Sequence, residues 1–290
     1  MVSETNTIPR YDLTGLGLVL RHSLIAYKHL LEHLIIDEII IDFHEMKIVV
    51  NKRDVAGGIL AKGVTYEDNG FKKFLKNIKE DSIIIDIGAS YGQYALAGAQ
   101  KAIKGLVIAI EPNPAYYILL LKNIIINNIT NIIPLNYAIS DTQGEAILHI
   151  PNTHGEGATL FKDKLKYKAE PKYSKVINVK IKTTTIDKLL YDLNIPHSHI
   201  HIVKIDAEGA EAKILKGMKK VLNESENLVL LMEFCPFMIQ ASGEDPREVL
   251  ELLTDNFTHI ECIPGGAKIK KKNIDEMLKK ITYTNLYCKR

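Results

Sequence analysis

The sequence predicts an α/β protein built on a doubly wound, mostly parallel seven-stranded sheet, with an N-terminal cap and a β insert. Three observations predict it. From Ser82 onward, short continuous apolar runs alternate with helix-length segments, the pattern of a parallel sheet covered on both faces. Several runs end in glycine or an acid (Gly88, Glu111, Asp206, and Glu233 near the end of its run), and such strand ends are where this architecture presents its ligand-facing residues. Five such strands are followed by a helix and two late β runs, so the last strand inserts antiparallel. A plain dinucleotide fold would more simply end on six parallel strands.

The elements follow in order. Leu13–Leu34 has apolar residues at helical spacing, Glu38–Phe43 and Lys47–Asn51 are short β-prone runs, and Phe71–Lys79 reads as a helix. Their apolar faces are too small to close a core, so residues 1–80 read as a cap on a domain spanning 81–290. Ile83–Ile87 is the first strand of that domain and Tyr91–Ala102 the helix after it. Leu106–Ile110 is the second strand. Asn113-Pro114 is an N-cap followed by an N1 proline, so a helix starts there and runs to about Asn127. Asn131–Ala138 is the third strand. An insert over residues 144–182 follows, with β-like segments Glu145–Ile150 and Val176–Lys182. His201–Ile205 is the fourth strand, and the helix Ala210–Lys216 is closed by Gly217 at the C′ position. Asn227–Phe234 is the fifth strand, Asp245-Pro246 starts another helix, and Thr258–Ile263 and Thr284–Lys289 close the chain.

Composition excludes several classes. A chain of 290 residues with 46% apolar and 25% charged residues is globular and large enough to bury its core without disulfides or a structural metal. The 37 basic and 35 acidic residues leave a net charge of +2, so the chain as a whole is no polycation. Cys235, Cys262 and Cys288 form no CxxC, which argues against a zinc knuckle or a disulfide framework and for reduced thiols packed in strands of a cytosolic protein. No basic-then-apolar leader opens the sequence. The uncharged stretch Asn123–Ser140 carries five asparagines and Pro134, which hydrocarbon would not accept.

The strand ends hold the candidate chemistry. The first delivers Asp86-Ile87-Gly88-Ala89-Ser90-Tyr91-Gly92, a turn whose small residues admit a ligand close to the backbone and whose helix N-terminus offers free N–H groups. Its spacing is G-x-x-x-G, not the G-x-G-x-x-G of a pyrophosphate site. The second delivers Glu111-Pro112-Asn113. A carboxylate 23 residues after Gly88 suits a ribose, since it can accept from both hydroxyls. The fourth delivers Asp206, with Glu208 and Glu211 three apart at the start of a helix; for Glu211 a macrodipole role is the simpler reading. Glu233, near the end of the fifth strand, is the next candidate. His197, His199 and His201 alternate at a strand start and read as surface histidines, so no metal site is expected.

These residues resemble a family. The Asp86–Gly92 turn, Ile110–Pro114, Asn127, Ala138–Asp141 with Gly144, Thr185–Leu190, Lys204–Glu211, Leu215–Gly217 and Glu233 are together similar to the FkbM-type S-adenosylmethionine-dependent methyltransferases. Gly63–Glu67 is similar to the segment that precedes the first strand there. The resemblance implies a class I methyltransferase-like fold, S-adenosyl-L-methionine as cofactor, and methyl transfer to oxygen. It implies that Gly88 and Ala89, in the Asp86–Tyr91 turn with Ser90, lie against the methionine part, and that Glu111 holds the ribose. Pro112 and Asn113 would flank the adenine, with Ala138 and Ser140 on its other side. Asp206 would stand beside the methyl group, and Glu67 would close the site from the cap.

A sulfonium methyl is already electrophilic, so the protein mainly aligns the acceptor oxygen and takes its proton. The catalytic candidates are Asp206, Glu208 and Glu233. Asp206 keeps two readings, general base or ligand of the cofactor's ammonium. The acceptor expected first is a hydroxylated glycan or small metabolite, and RNA second. Lys162, Lys164, Lys166 and Lys168 in the insert would attract a phosphorylated acceptor or form a solvated face. A nicotinamide-dependent oxidoreductase and a non-catalytic binding module remain as alternatives from other classes.

Overall fold

The structure, a computed structural model, describes residues 37–52, 68–151, 157–161 and 176–290. The expected helix Leu13–Leu34, the Gly63–Glu67 segment with Glu67, and Lys162, Lys164, Lys166 and Lys168 lie outside the described residues.

The main sheet has seven strands. β3 (Ile83–Ile87) pairs in parallel with β4 (Leu106–Ile110) on one side and β9 (Ile202–Ile205) on the other. β5 (Ile132–Leu135) extends the β4 side, and β10 (Val229–Phe234) the β9 side. β12 (Thr284–Lys289) inserts antiparallel between β10 and β11 (His259–Ile263), as the two late runs predict. Chain order reverses between β3 and β9, so the crevice such sheets use for ligands opens beyond the carboxyl ends of these two strands. Every residue of β3, β4 and β9 is buried, which is why the strands read as unbroken apolar runs rather than alternating ones.

Helices cover both faces. On one lie α1 (Asp68–Asn77), α2 (Gln93–Lys101) and α3 (Pro114–Ile126), whose Phe74, Leu96 and Leu120 share a buried cluster with Ile84, Val107 and Ile202. On the other lie α4 (Ile186–Asp192), α5 (Glu211–Lys216), α6 (Lys219–Glu224), α8 (Pro246–Asn256) and α9 (Ile274–Lys280), packed on Ile85, Ile108 and Val203. The short α7 (Pro236–Ala241) follows β10. Capping sets several of these starts. Asn113 accepts from the Ala115 amide ahead of α3 (3.1 Å) and Thr185 from the Lys188 amide ahead of α4 (3.1 Å). Asp187 accepts from the Lys220 amide (3.0 Å) at the start of α6, so the Thr185–Leu190 run is a pair of helix caps.

Four expectations change. The third strand is shorter than Asn131–Ala138: the chain leaves the main sheet after Leu135, and β6 (Ala138–Ile139) joins a separate three-stranded sheet. That sheet is the insert, in which β7 (Gly144–Pro151) and β8 (Val176–Thr184) form an antiparallel pair and β6 runs parallel to β8. Gly217 is not left-handed (φ −85°); it is glycine because a Cβ would lie 2.2 Å from the Ser140 carbonyl oxygen. His197 and His201 are not surface histidines. His201 Nδ1 accepts from the Ile83 amide (3.1 Å), and its burial lowers its pKa; His197 Nε2 contacts the Asp187 carbonyl (3.0 Å). Cys262 and Cys288 pack in β11 and β12, but Cys235 lies past β10 at the start of α7. Among the described residues, no helix is long and apolar enough to cross a membrane.

The hairpin of β1 (Glu38–Phe43) and β2 (Met46–Asn51) is tied to α3 by Asn123, which is fully buried. Its Oδ1 accepts from the Val49 amide (2.6 Å), and its Nδ2 donates to the carbonyls of Val49 (2.9 Å) and Tyr91 (2.8 Å). Asn123→Ala strips partners from the buried Val49 amide and carbonyl in β2 and from the Tyr91 carbonyl in the turn ahead of α2. The expected cost is about 2–4 kcal/mol in urea unfolding, at unchanged m.

Candidate active site

The alternation of the strands puts Asp86, Glu111, Lys204 and Glu233 on the face that also carries Ile84, Val107, Ile202 and Leu231. They form a row of charged groups at the carboxyl edge of an otherwise apolar sheet.

Glu111 is buried. Its Oε2 accepts from the Ser90 amide (2.7 Å) and its Oε1 from the Asn113 amide (2.8 Å), so it clasps the first and second strand-end turns together. Burial pushes its pKa up to about 7, against the opposing pull of the two amides and Lys204. Asn136, which sequence reasoning did not single out, donates from Nδ2 to the carbonyls of Glu111 (2.8 Å) and Pro112 (3.1 Å) and fixes that turn. Ser90 is held at φ 51°, a left-handed backbone uncommon for a residue with a Cβ.

Gly88 closes the contact between β3 and β9. Its amide donates to the Ile110 carbonyl (2.9 Å), its φ is +75°, and a Cβ there would fall 1.8 Å from the Asp206 carbonyl oxygen. The glycine is therefore required first by the neighbouring strand, and only then by any ligand. Beneath it lies the Lys204 ammonium, 3.4 Å from the Gly88 carbonyl, 3.7 Å from Asp86 Oδ1, 3.4 Å from Asp206 Oδ2 and 4.9 Å from the centre of the Tyr94 ring. Asp86 is fully enclosed, with neither carboxylate oxygen at hydrogen-bond distance from a partner. Burial raises its pKa, Lys204 counters this, and Asp206 adds to it. The Asp206 side chain is 32% exposed, so of this trio it is the one that reaches the cleft.

Beyond Asp206 the chain turns through Glu208 (φ 53°) and Gly209 (φ 104°) into α5. Glu211 is no exposed macrodipole partner: it is 2% exposed, and its Oε1 accepts from the amides of Ala207 and Gly209, both at 3.1 Å. It braces the turn from below. Glu233 is half-buried and stands opposite Asn285 of β12.

The structure thus brings Asp86, Gly88, Ala89, Ser90, Glu111, Pro112, Asn113, Lys204 and Asp206 to one edge, with Glu208 and Glu233 flanking. Three residues are placed differently from the rest. The Tyr91 ring is buried against Tyr116 (5.9 Å between centres). Ala138 lies in the insert sheet and Ser140 directly after its strand β6, where the Ser140 amide donates to the Thr184 carbonyl (2.9 Å). Among the described residues no His/Cys/Asp/Glu group could hold a metal ion.

The pKa of Glu111 generates a prediction. An acid raised from 4.5 to about 7 in the folded state binds more protons folded than unfolded between those values. Its contribution to stability is therefore greatest below about pH 4.5 and falls as pH rises through about 7. Glu111→Gln should remove this component, so that urea unfolding at pH 5 and pH 8 differs less in the variant than in the parent.

Comparison with known proteins identifies the family. The family model for the methyltransferase FkbM domain matches residues 86–258. The hexuronic acid methyltransferase AglP of Haloferax volcanii is 31% identical over 189 residues, which cover 65% of this chain and 68% of that protein. The methyltransferase sdnD of Sordaria araneosa is 24% identical over 163 residues, covering 50% of this chain and 63% of that one. A crystal structure of M. jannaschii TYW2 in complex with AdoMet superposes with a TM-score of 0.44 at 12% identity, over 88% of this chain and 85% of that one. With a family model spanning more than half its length, the chain belongs to the FkbM methyltransferase family and is an S-adenosylmethionine-dependent methyltransferase.

Proposed function

We propose that the enzyme methylates a hydroxyl group of a glycan or small hydroxylated acceptor, with Asp206 as the group that takes the hydroxyl proton. The observation that carries this reading is the position of Asp206: partly open to the cleft, at the β3–β9 switch point, and anchored from behind by Lys204.

The residues at this edge fit the cofactor. Asp86 is a fully buried carboxylate whose cation, Lys204, stands 3.7 Å away and is shared with Asp206, so the floor of the cleft keeps a negative balance that suits a cationic ligand above it. Each oxygen of Glu111 has one lone pair engaged by a backbone amide, leaving the carboxylate able to accept from two ribose hydroxyls. Gly88 and Ala89 would line the methionine part, and Pro112 and Asn113 the adenine, with Ala138 and Ser140 reaching the ring's far side from the insert sheet. S-adenosylmethionine, when bound, supplies an electrophilic methyl group.

The chain's own residues do the rest. Asp206 accepts the acceptor's proton as its oxygen attacks, which general-base catalysis values at roughly 10²–10⁴ in rate. Glu208 and Glu233 flank Asp206 and orient the acceptor's remaining hydroxyls. We also assign residues 144–182 to the acceptor side of the cleft and 1–80 to a cap on the 81–290 domain. The hexuronic acid named in the Haloferax relative makes a hexuronic acid glycoside the first acceptor to try.

Two experiments test the proposal. Labelled methyl transfer to a hexuronic acid glycoside, a neutral glycoside and an RNA should favour a sugar, and the label should resist mild alkali. Alkali-labile label would mean a methyl ester and overturn the hydroxyl assignment. Label on the RNA, weakening steeply with salt, would overturn the sugar. Asp206→Asn should slow single turnover by about 10²–10⁴ with cofactor affinity nearly unchanged. Loss of affinity with surviving chemistry would make Asp206 a binding residue. A second prediction follows from Glu111. Ribose hydroxyls favour its ionised form, so cofactor binding near pH 6.5 should release a proton, seen as a buffer-dependent calorimetric enthalpy that Glu111→Gln abolishes.

A further inference from the structure

The insert sheet does more than border the cleft. Residues 157–161 return from it to the turn that carries Asp206 and Glu208. Thr159 forms an isolated rung on β7, its amide and carbonyl both bonded to His149 (3.0 and 2.8 Å). Its hydroxyl faces the other way. Oγ1 donates to the Glu208 carbonyl (2.9 Å) and accepts from the Phe161 amide (3.2 Å), in a side chain only 1% exposed. The Phe161 ring lies over Gly209, where a Cβ would come within 3.4 Å of it. Ala158 and Leu160 pack against one core of the molecule and Phe161 against the other.

Glu208 is the residue that needs such a hold. It has a Cβ, yet sits at φ 53°, and a left-handed conformation of this kind persists only where its surroundings over-determine it. Glu211 fixes the two amides of the turn from below, and Thr159 fixes the intervening carbonyl from above.

We propose that Thr159 is a positioning residue of the transfer site, through which the insert sets the orientation of the Asp206–Gly209 turn. The inference rests on the reading above that this turn carries the chemistry. It gives the insert a way to act on the reaction: whatever shifts the rung at His149 also shifts the carbonyl of Glu208.

The test uses the full chain and three variants. Thr159→Val keeps volume, β-branching and the backbone rung but loses the hydroxyl; Thr159→Ala loses it without crowding; Thr159→Ser keeps it. Amide hydrogen exchange at Ala207 and Gly209 should become roughly three- to tenfold faster in the Val and Ala variants, the scale of one lost hydrogen bond. Single-turnover transfer to a hexuronic acid glycoside should fall with it. Thr159→Ser should restore both. Unchanged exchange in the Val and Ala variants overturns the proposal, as does a Ser variant that fails to restore it. Faster exchange with an undiminished transfer rate overturns the positioning role. A parent enzyme that transfers nothing to the glycoside overturns that acceptor, while the exchange measurement still decides the hold of Thr159 on the turn.

Discussion

Lys204 carries an ammonium group into the middle of a parallel sheet, with a side chain only 9% exposed, and the geometry of the cleft depends on it. Parallel pairing places Lys204 directly opposite Asp86, and strand alternation returns Asp206 to the same face two residues on. One cation therefore serves a closed carboxylate, an open carboxylate and the Gly88 carbonyl. A hydrophobic residue of similar volume would remove the desolvation cost of the two buried charges, so stability alone does not explain the pair. Its effect is to join the floor of the cleft to the carboxylate that faces it.

The second constraint is steric. β3 and β9 approach so closely at their ends that Gly88 and the Asp206 carbonyl leave no room for a side chain. The same device recurs where Gly217 meets the Ser140 carbonyl, at the other end of α5. The insert sheet thus bears on the segment after Asp206 from two sides, at Gly217 through Ser140 and at Glu208 through Thr159. The polar bracing of Glu211 completes the frame. A turn containing two consecutive left-handed residues is fixed by hydrogen bonds to its amides, to one carbonyl, and by the packing of a ring on its glycine.

Most of the sheet was readable in the sequence because its strands are buried on both faces and its helices start on explicit caps such as Asn113 and Thr185. The strand-end acids were readable for the same reason: a carboxylate closing an apolar run has nowhere to go but the edge. What escaped was interaction at a distance along the chain. Asn131–Ala138 looks like one strand, yet only Ile132–Leu135 stays in the main sheet, because Ala138 and Ile139 find partners in Thr183 and Thr184. Glu211 looks like a first-turn acid until the turn it braces is seen to fold over it. Gly217 sits where a C′ glycine belongs, but the reason for it is a carbonyl 77 residues away in sequence. His201 carries no local signal for the amide of Ile83 that it accepts. Thr159 lies between polar stretches with no periodicity, and nothing local announces its bond to Glu208.

The chemistry of the floor narrows what can rest on it. Three carboxyl groups, Asp86, Glu111 and Asp206, stand against one ammonium, so the site holds a surplus of negative charge within an apolar surround. Burial pushes Asp86 and Glu111 toward their neutral forms, which would relieve that surplus, while Lys204 pulls both the other way. A floor poised in this manner gains most from a ligand that brings positive charge and hydrogen-bond donors together, because each carboxylate then regains the partners it lost on leaving water. A pyrophosphate-bearing nucleotide would add negative charge to the same floor and worsen the imbalance. The electrostatics of Asp86 and Lys204 therefore suit a sulfonium cofactor, while Glu111 would serve the ribose of either cofactor class.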